Sequence, residues 1–385
     1  MFKVALSTIG TFHMFDLARE LKARDALEVI FSGYPRFKLK RENLPSQYIR
    51  TFPWLHAPYM ALPIRAKLGA RANRLWERLD QVSMDAFVSA GLPRVDVYVG
   101  MSGSSLWAGR QARKAGMRYV CDRGSTHIRV QDRLVREEDQ RWGLSSAGVD
   151  PWMIEREEAE YAEADCITVP SAFNVRTFIA QGVPEHKLRK LSYGVNIEKF
   201  YPDGQPTDGS FDILFAGGMS LRKGIPYVLQ AYKALVHPRK TLSFAGAPSP
   251  ETIALMRRHG LWSDDMRILG HLDQATLRQT MSKSHVLMLP SIEEGLALVQ
   301  AQAMACACPV LATENTGCED LFEHGEQGFI TRVRDVEAMS QHLQTLADQP
   351  ELRREMSRKA LARVQHLGGT REYGRRALEI YQSLV

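Results

Sequence analysis

Ser291-Ile-Glu-Glu-Gly-Leu-Ala-Leu-Val-Gln-Ala-Gln-Ala-Met-Ala305 follows an apolar run, Val286 to Leu289. Together they read as a buried strand handing over to a helix. The helix is expected from Gly295 onward, where Ala, Leu and Met predominate. Glu294 then stands at the handover. Backbone N–H groups point out of a helix N-terminus, and the helix dipole favours negative charge there. The expectation is a phosphate or sugar held at this point by backbone donors, with Glu294 accepting hydrogen bonds from sugar hydroxyls.

The same alternation runs outward in both directions. Lys3 to Ser7, Val97 to Val99, Tyr119 to Cys121 and Cys166 to Val169 read as strands, separated by helical patterns. A polar stretch with two prolines, Tyr201-Pro-Asp-Gly-Gln-Pro-Thr-Asp-Gly-Ser210, reads as a linker. A second series follows: Asp212 to Gly217, Thr241 to Phe244, Arg267 to Leu269, Val286 to Leu289 and Val310 to Ala312. The fold class is therefore α/β, with two Rossmann-like domains facing each other across a cleft. The expected organisation is a first domain over 1–200, a linker over 201–210 and a second domain over 211–368. A terminal helix over 369–385 is expected to return to the first domain. Ligands of such sheets bind beyond the C-terminal strand ends. The dinucleotide fingerprint G-x-G-x-x-G is absent after the first strand, which argues against a dehydrogenase.

Pro290-Ser291 through Glu294-Gly295, the Ala303-Met304-Ala305 helix and Pro309-Val310-Leu311-Ala312-Thr313 resemble the nucleotide-sugar site of retaining glycosyltransferases of the GT-B fold, family four. The resemblance covers about residues 150–345 and is architectural only over 14–120. It implies donor contacts from Gly295, Leu296 and Ala297 and a sugar-facing Glu294. The family usually carries a second glutamate eight positions on, accepting from the ribose hydroxyls; here that position is Gln302. A Gln amide has one acceptor oxygen and two donors. Ala216-Gly-Gly-Met-Ser-Leu-Arg-Lys-Gly224 resembles the family's phosphate loop, with Lys223 on its lysine and Gly218 on its arginine. Arg222 is the candidate replacement cation. Two neighbouring cations suit a diphosphate.

In the first domain, Cys121-Asp-Arg-Gly-Ser-Thr-His127 resembles the loop whose histidine reaches the transferred sugar, which makes His127 a candidate catalytic residue beside Glu294. Asp122 and Arg123 are expected to be structural, and Glu293 a solvated neighbour of Glu294. Gly10 resembles the small residue that lets the first domain approach the donor; a plain turn glycine is the alternative. His13 is expected either to contact the acceptor or to cap the following turn.

The resemblance thus implies a retaining, metal-independent transferase without a cofactor. It would use a UDP- or GDP-type sugar donor and a glycan or lipid-linked acceptor. A sugar-nucleotide epimerase and a non-catalytic binding protein are the rival readings.

Hydrophobic content of 44% and charged content of 24% are those of a soluble globular protein. No apolar run reaches membrane-spanning length, and the N-terminus reads as a strand and not a signal peptide. The five cysteines are odd in number and embedded in apolar segments, which suits free thiols in a reducing cytoplasm. Net charge is +6, but residues 34–78 alone carry ten basic side chains against two acidic ones, a local excess of +8. Phe37, Phe52, Trp54, Tyr59 and Met60 lie among them, and a helical pattern runs from Ile64 to Leu79. This segment suits peripheral attachment to an anionic membrane at the cytoplasmic face. A solvated helix face or an acidic acceptor would use the same charges. No nucleic-acid signature accompanies them.

Overall fold

The computed structural model describes residues 1–61, 68–146 and 148–385. Arg65, Lys67 and the first turn of the helix expected at Ile64 lie outside the described residues. Two all-parallel sheets carry the fold. The first contains Val4–Thr8 (β1), Leu27–Ser32 (β2), Ile49–Thr51 (β3), Val97–Met101 (β4), Arg118–Asp122 (β5), Cys166–Val169 (β6) and Leu188–Lys190 (β7), in spatial order β3-β2-β1-β4-β5-β6-β7. The second contains Phe211–Ala216 (β8), Lys240–Ala245 (β9), Arg267–Gly270 (β10), Val286–Leu289 (β11), Val310–Thr313 (β12) and Gly328–Thr331 (β13), in order β10-β9-β8-β11-β12-β13.

Both sheets are helix-covered on two faces, so their central strands are apolar almost throughout. In β1, Val4 and Leu6 face a core with Met14 and Phe15, while Ala5 faces another with Phe31 and Tyr98. That is the period-two alternation of a strand. Strand order reverses between β1 and β4 in one sheet and between β8 and β11 in the other. A crevice opens at each reversal, beyond the C-terminal strand ends. The loops after β8 and β11 therefore flank one crevice, and the loop after β1 flanks the opposite one.

Four strands, β2, β3, β7 and β13, are absent from the expected series; β2, Leu-Glu-Val-Ile-Phe-Ser, is an apolar run that the sequence reading misses. β3 and β7 are three-residue edge strands, where few side chains need to be apolar. A larger difference concerns Gly295. The helix begins at Leu298, three residues later than expected. The Glu294 N–H is bonded to the Asn315 carbonyl at 3.1 Å and the Ala297 N–H to that of Thr316 at 3.3 Å. A neighbouring loop thus takes up backbone groups that a helix would have used.

The domains meet over a polar and apolar interface. Val130 and Leu134, on the helix Ile128–Arg141 of the first domain, join the core cluster of the second. Buried Glu138 on the same helix accepts hydrogen bonds from Tyr227 at 2.7 Å and Arg334 at 2.8 Å. Asp320 answers in the other direction, accepting from the Ala172 N–H at 2.7 Å and pairing with Lys190. The helix Gly369–Gln382 packs Tyr373, Ala377 and Tyr381 into the core that contains Val4, Leu6 and Leu17.

Candidate active site

The loop after β8 is pressed into place by its glycines. A Cβ on Gly224, which sits at φ +75°, would fall 2.0 Å from the Pro290 carbonyl oxygen. The phosphate-loop candidate thus touches the end of β11. The Ile292 N–H donates to the Arg222 carbonyl at 2.8 Å and continues that contact. Lys223 Nζ pairs with Glu294 Oε1, which also accepts from Ser291 Oγ at 3.1 Å. Arg222 Nη1 donates to the Glu293 carbonyl at 3.0 Å and to Glu293 Oε2 at 3.2 Å. Both cations keep part of their side chains exposed. Arg222, Lys223 and Glu294, named from sequence, are brought together as one cluster. Gly218 is exposed, and nothing occupies the space where its side chain would be.

Gly295 is set by a different neighbour. A Cβ there would lie 2.0 Å from the carbonyl oxygen of Gly124, in the first domain. Only glycine permits this backbone contact across the interface. Its carbonyl accepts from Ser171 Oγ at 2.9 Å, and that of Glu294 from Asn174 Nδ2 at 3.2 Å. Leu296 and Ala297 are buried beneath the loop, and both belong to the core cluster of the second domain. Leu298, unmarked in the sequence, lines the cleft instead. It borders a cavity of about 610 Å³ with Thr11, Phe12, Leu272, Leu277 and Gln302. It also borders one of about 320 Å³ with His13, Arg123, Gly124 and Tyr193.

His127 does not take the place expected of it. It is 3% exposed, and its ring packs against Tyr161 and Phe178 inside the first domain. Its Nδ1 accepts from the Arg129 N–H at 3.3 Å and caps the helix Ile128–Arg141. Burial lowers its pKa to about 4, which keeps the ring neutral and the capping lone pair available. His13 lines the smaller of the two cavities bordered by Leu298, and His271 the larger. The His13 Nε2 meets Asp122 Oδ2 at 2.6 Å, and its ring stacks on Tyr193 at 4.1 Å. It makes no side-chain capping bond. The Tyr193 hydroxyl is buried without a hydrogen-bond partner, 3.0 Å from where a Gly124 side chain would begin. Gly10 is buried at the turn before Phe12, and its carbonyl accepts from Ser32 Oγ at 3.2 Å.

Glu293 is the strongest correction. It is 0% exposed and not solvated. Its Oε1 accepts from Ser125 Oγ, from Thr126 Oγ1 at 2.8 Å and from the Thr126 N–H at 3.2 Å. Burial pushes its carboxyl up, but Arg222, the two hydroxyls and Arg123 outweigh that and leave it below the usual carboxylate range. No local signal separates Glu293 from Glu294; only the docked first domain does.

Comparison with known proteins agrees with this architecture. Residues 196–363 match the family described as glycosyl transferases group 1, and residues 11–194 the glycosyl transferase 4-like domain. The chain belongs to the group 1 glycosyltransferases of the GT-B fold. It is 23% identical over 223 residues to a glycogen synthase of Mycobacterium tuberculosis, covering 56% of this chain and 52% of that protein. It is 24% identical over 257 residues to a D-inositol 3-phosphate glycosyltransferase of Catenulispora acidiphila, covering 61% of each. The chain thus spans about two-fifths to three-fifths of the length of the curated relatives it matches. In fold it is similar to Anabaena HepE, solved in complex with UDP and glucose, with a TM-score of 0.72, 16% identity and full coverage of both chains. Among the described residues, no helix is long and apolar enough to cross a membrane.

Proposed function

We propose that the protein is a retaining glycosyltransferase that moves a sugar from a nucleoside-diphosphate donor, UDP-type by analogy with its structural neighbour, to a glycan or lipid-linked acceptor. The observation that carries this reading is the cluster of Arg222, Lys223 and Glu294 at the strand-order reversal of the second sheet. In it, Lys223 and Arg222 neutralise the departing diphosphate, and Glu294 accepts from hydroxyls of the transferred sugar. Fixed cations aimed at developing negative charge lower the barrier without reorganising. Gln302 holds the ribose from its place in the larger cavity, and Leu272, Leu277 and Leu298 give the base an apolar wall. On the acceptor side His13, oriented by Asp122, takes the role that the sequence suggested for His127. Attack comes on the face from which the diphosphate leaves, and a phosphate oxygen helps to take the acceptor proton.

The test is a screen of UDP-, GDP- and ADP-sugars for thermal stabilisation, followed by product analysis to separate transfer from epimerisation. A ligand at a hundredfold excess over its dissociation constant adds about 2.7 kcal/mol of stability. No stabilisation by any of them would sink the donor assignment.

Peripheral attachment to an anionic membrane belongs to the same proposal. Phe37 and Trp54 are 75% and 74% exposed, and Met60, Leu75 and Leu79 are also exposed. Arg36 donates to the Ser46 and Ile49 backbone carbonyls, and Lys38 lies over the Tyr34 ring. Each basic side chain at an anionic surface contributes about 1 kcal/mol. Flotation with anionic and neutral vesicles at low and high salt decides it: salt-sensitive binding to anionic vesicles supports docking, and no binding at low salt removes it.

A further inference from the structure

Glu293 is a buried carboxylate that the donor and acceptor assignments leave without a task. It belongs to the second domain, yet three of its carboxylate's four hydrogen-bond donors are a backbone N–H and two hydroxyls of the first; the fourth is Arg222 Nη1, to Oε2. Those donors sit on a stiff support. Arg123 Nε donates to the Thr126 carbonyl at 3.0 Å, and its Nη atoms bond Glu157 at 3.0 Å and Gln131 at 2.7 Å. Tyr161 donates to the same Glu157 at 2.6 Å. A continuous run of bonded groups therefore leads from inside the first domain to Arg222.

We propose that Glu293 is a positioning residue that makes the readiness of Arg222 for a diphosphate conditional on closure of the cleft. The reasoning follows from the two oxygens. With the first domain docked, Oε1 is saturated by Ser125 and Thr126, and Arg222 is held through Nη1 alone, by Oε2 and the Glu293 carbonyl. Among the described residues its remaining nitrogens have no partner and stay available for an anion. With the domains parted, Oε1 loses its donors and presents both oxygens to the guanidinium in the bidentate geometry that Arg and carboxylate favour. Glu294 Oε2, 3.8 Å from Nη1, competes from the other side. Closure thus removes an internal competitor for Arg222. By linkage, a diphosphate that engages Arg222 favours closure to the same extent. Glu293 and Thr126 need not touch the ligand.

The proposal rests on the donor reading above, and its test separates the two. Thr126→Val keeps the backbone N–H and removes one hydroxyl from the far domain. It is expected to weaken UDP binding about five- to tenfold and to leave uridine binding unchanged. Thr126→Ser, which keeps the hydroxyl, is expected to restore the UDP affinity. The loss is expected to vanish in an Arg222→Ala background, as coupling through Arg222 requires. A Thr126→Val loss that persists in full without Arg222, or no loss at all, overturns the proposal. If the wild-type protein binds no nucleoside diphosphate, the donor reading falls. The latch is then read in the ligand-free protein by small-angle scattering. A larger radius of gyration in both Thr126→Val and Glu293→Gln supports it, and unchanged radii overturn it.

Discussion

The loop Ser291–Ala297 and the loop Asp122–His127 face each other across the cleft, and they differ in how they hold their polar side chains. The first is knitted to its own domain: Thr313 Oγ1 donates to the Ser291 carbonyl at 2.5 Å, and Asn315 Nδ2 to that of Ile292 at 2.8 Å. It points Glu294 at a cation two positions from the next helix. The second is anchored from behind by buried Arg123 and presents Ser125 and Thr126 outward, while His127 turns inward as a cap. One loop supplies charge to the site; the other supplies hydroxyls to hold the charged loop in register. A charged side chain in such a loop is therefore not automatically a ligand, and a small hydroxyl residue is not automatically filler.

Five substitutions sharpen or break this contrast. The largest effect is expected for Lys223→Ala and for Glu294→Ala, each lowering turnover by about 10²–10³-fold, the size typical of removing one fixed charge from a transition state. Steady-state transfer assays and nucleoside-diphosphate titration check them. Unchanged diphosphate affinity in Lys223→Ala would remove the phosphate role. Gly295→Ala comes next. Its Cβ meets a backbone carbonyl at 2.0 Å, which no side-chain adjustment relieves. The domains must part, and activity is expected to fall by up to about 10²-fold, as an ångström of misplacement can cause. A wild-type radius of gyration in this variant would show that the loops tolerate the wedge.

Gln302→Glu is expected to retain or tighten donor binding, by about tenfold, because a charged acceptor makes the stronger bond to ribose hydroxyls. Calorimetric titration reads it, and a folded variant that binds much more weakly would mean the ribose sits elsewhere. The smallest effect is on stability alone. His127 has a pKa of about 4 in the folded protein against an ordinary 6.5. The unfolded chain therefore binds more protons between those values, and stability falls as pH drops through that window. His127→Asn keeps an oxygen to cap the helix but cannot titrate. Its melting temperature is expected to fall less steeply than the wild type's from pH 6.5 to 4, with turnover near wild type. A large loss of turnover would return His127 to the catalytic list.

The architecture was legible because parallel sheets leave a plain trace. β6 and β11 have the expected bounds, and β5, β8 and β12 lie within a residue or two of theirs. The cluster of Arg222, Lys223 and Glu294 was legible because all three follow strands whose apolar runs are plain in the sequence. What could not be read depends on residues distant along the chain, in the same domain or in the other. Glu293 and Glu294 are identical side chains in adjacent positions, and both are buried; only docking against Ser125 and Thr126 gives Glu293 its partners, while Glu294 takes Lys223 and Ser291. The delayed helix start at Leu298 likewise reflects carbonyls from Asn315 and Thr316, some twenty residues on. His127 and His13 both follow strands in short loops. Tyr161 and Phe178, far along the chain, decide which ring turns inward.

The helix Gly369–Gln382 has a consequence for how the protein is made. Tyr373, Ala377 and Tyr381 fill the same core as Val4, Leu6 and Leu17, so this core is completed only when a helix lying beyond the second domain in the chain has been made. Chains emerge at about 5–20 residues per second, and domains usually fold as they appear. Here the first domain must wait with an apolar groove uncovered while the whole second domain is translated. That interval, on the order of ten seconds or more at those rates, is when the nascent chain is most open to misassociation, and chaperone dependence would be concentrated there.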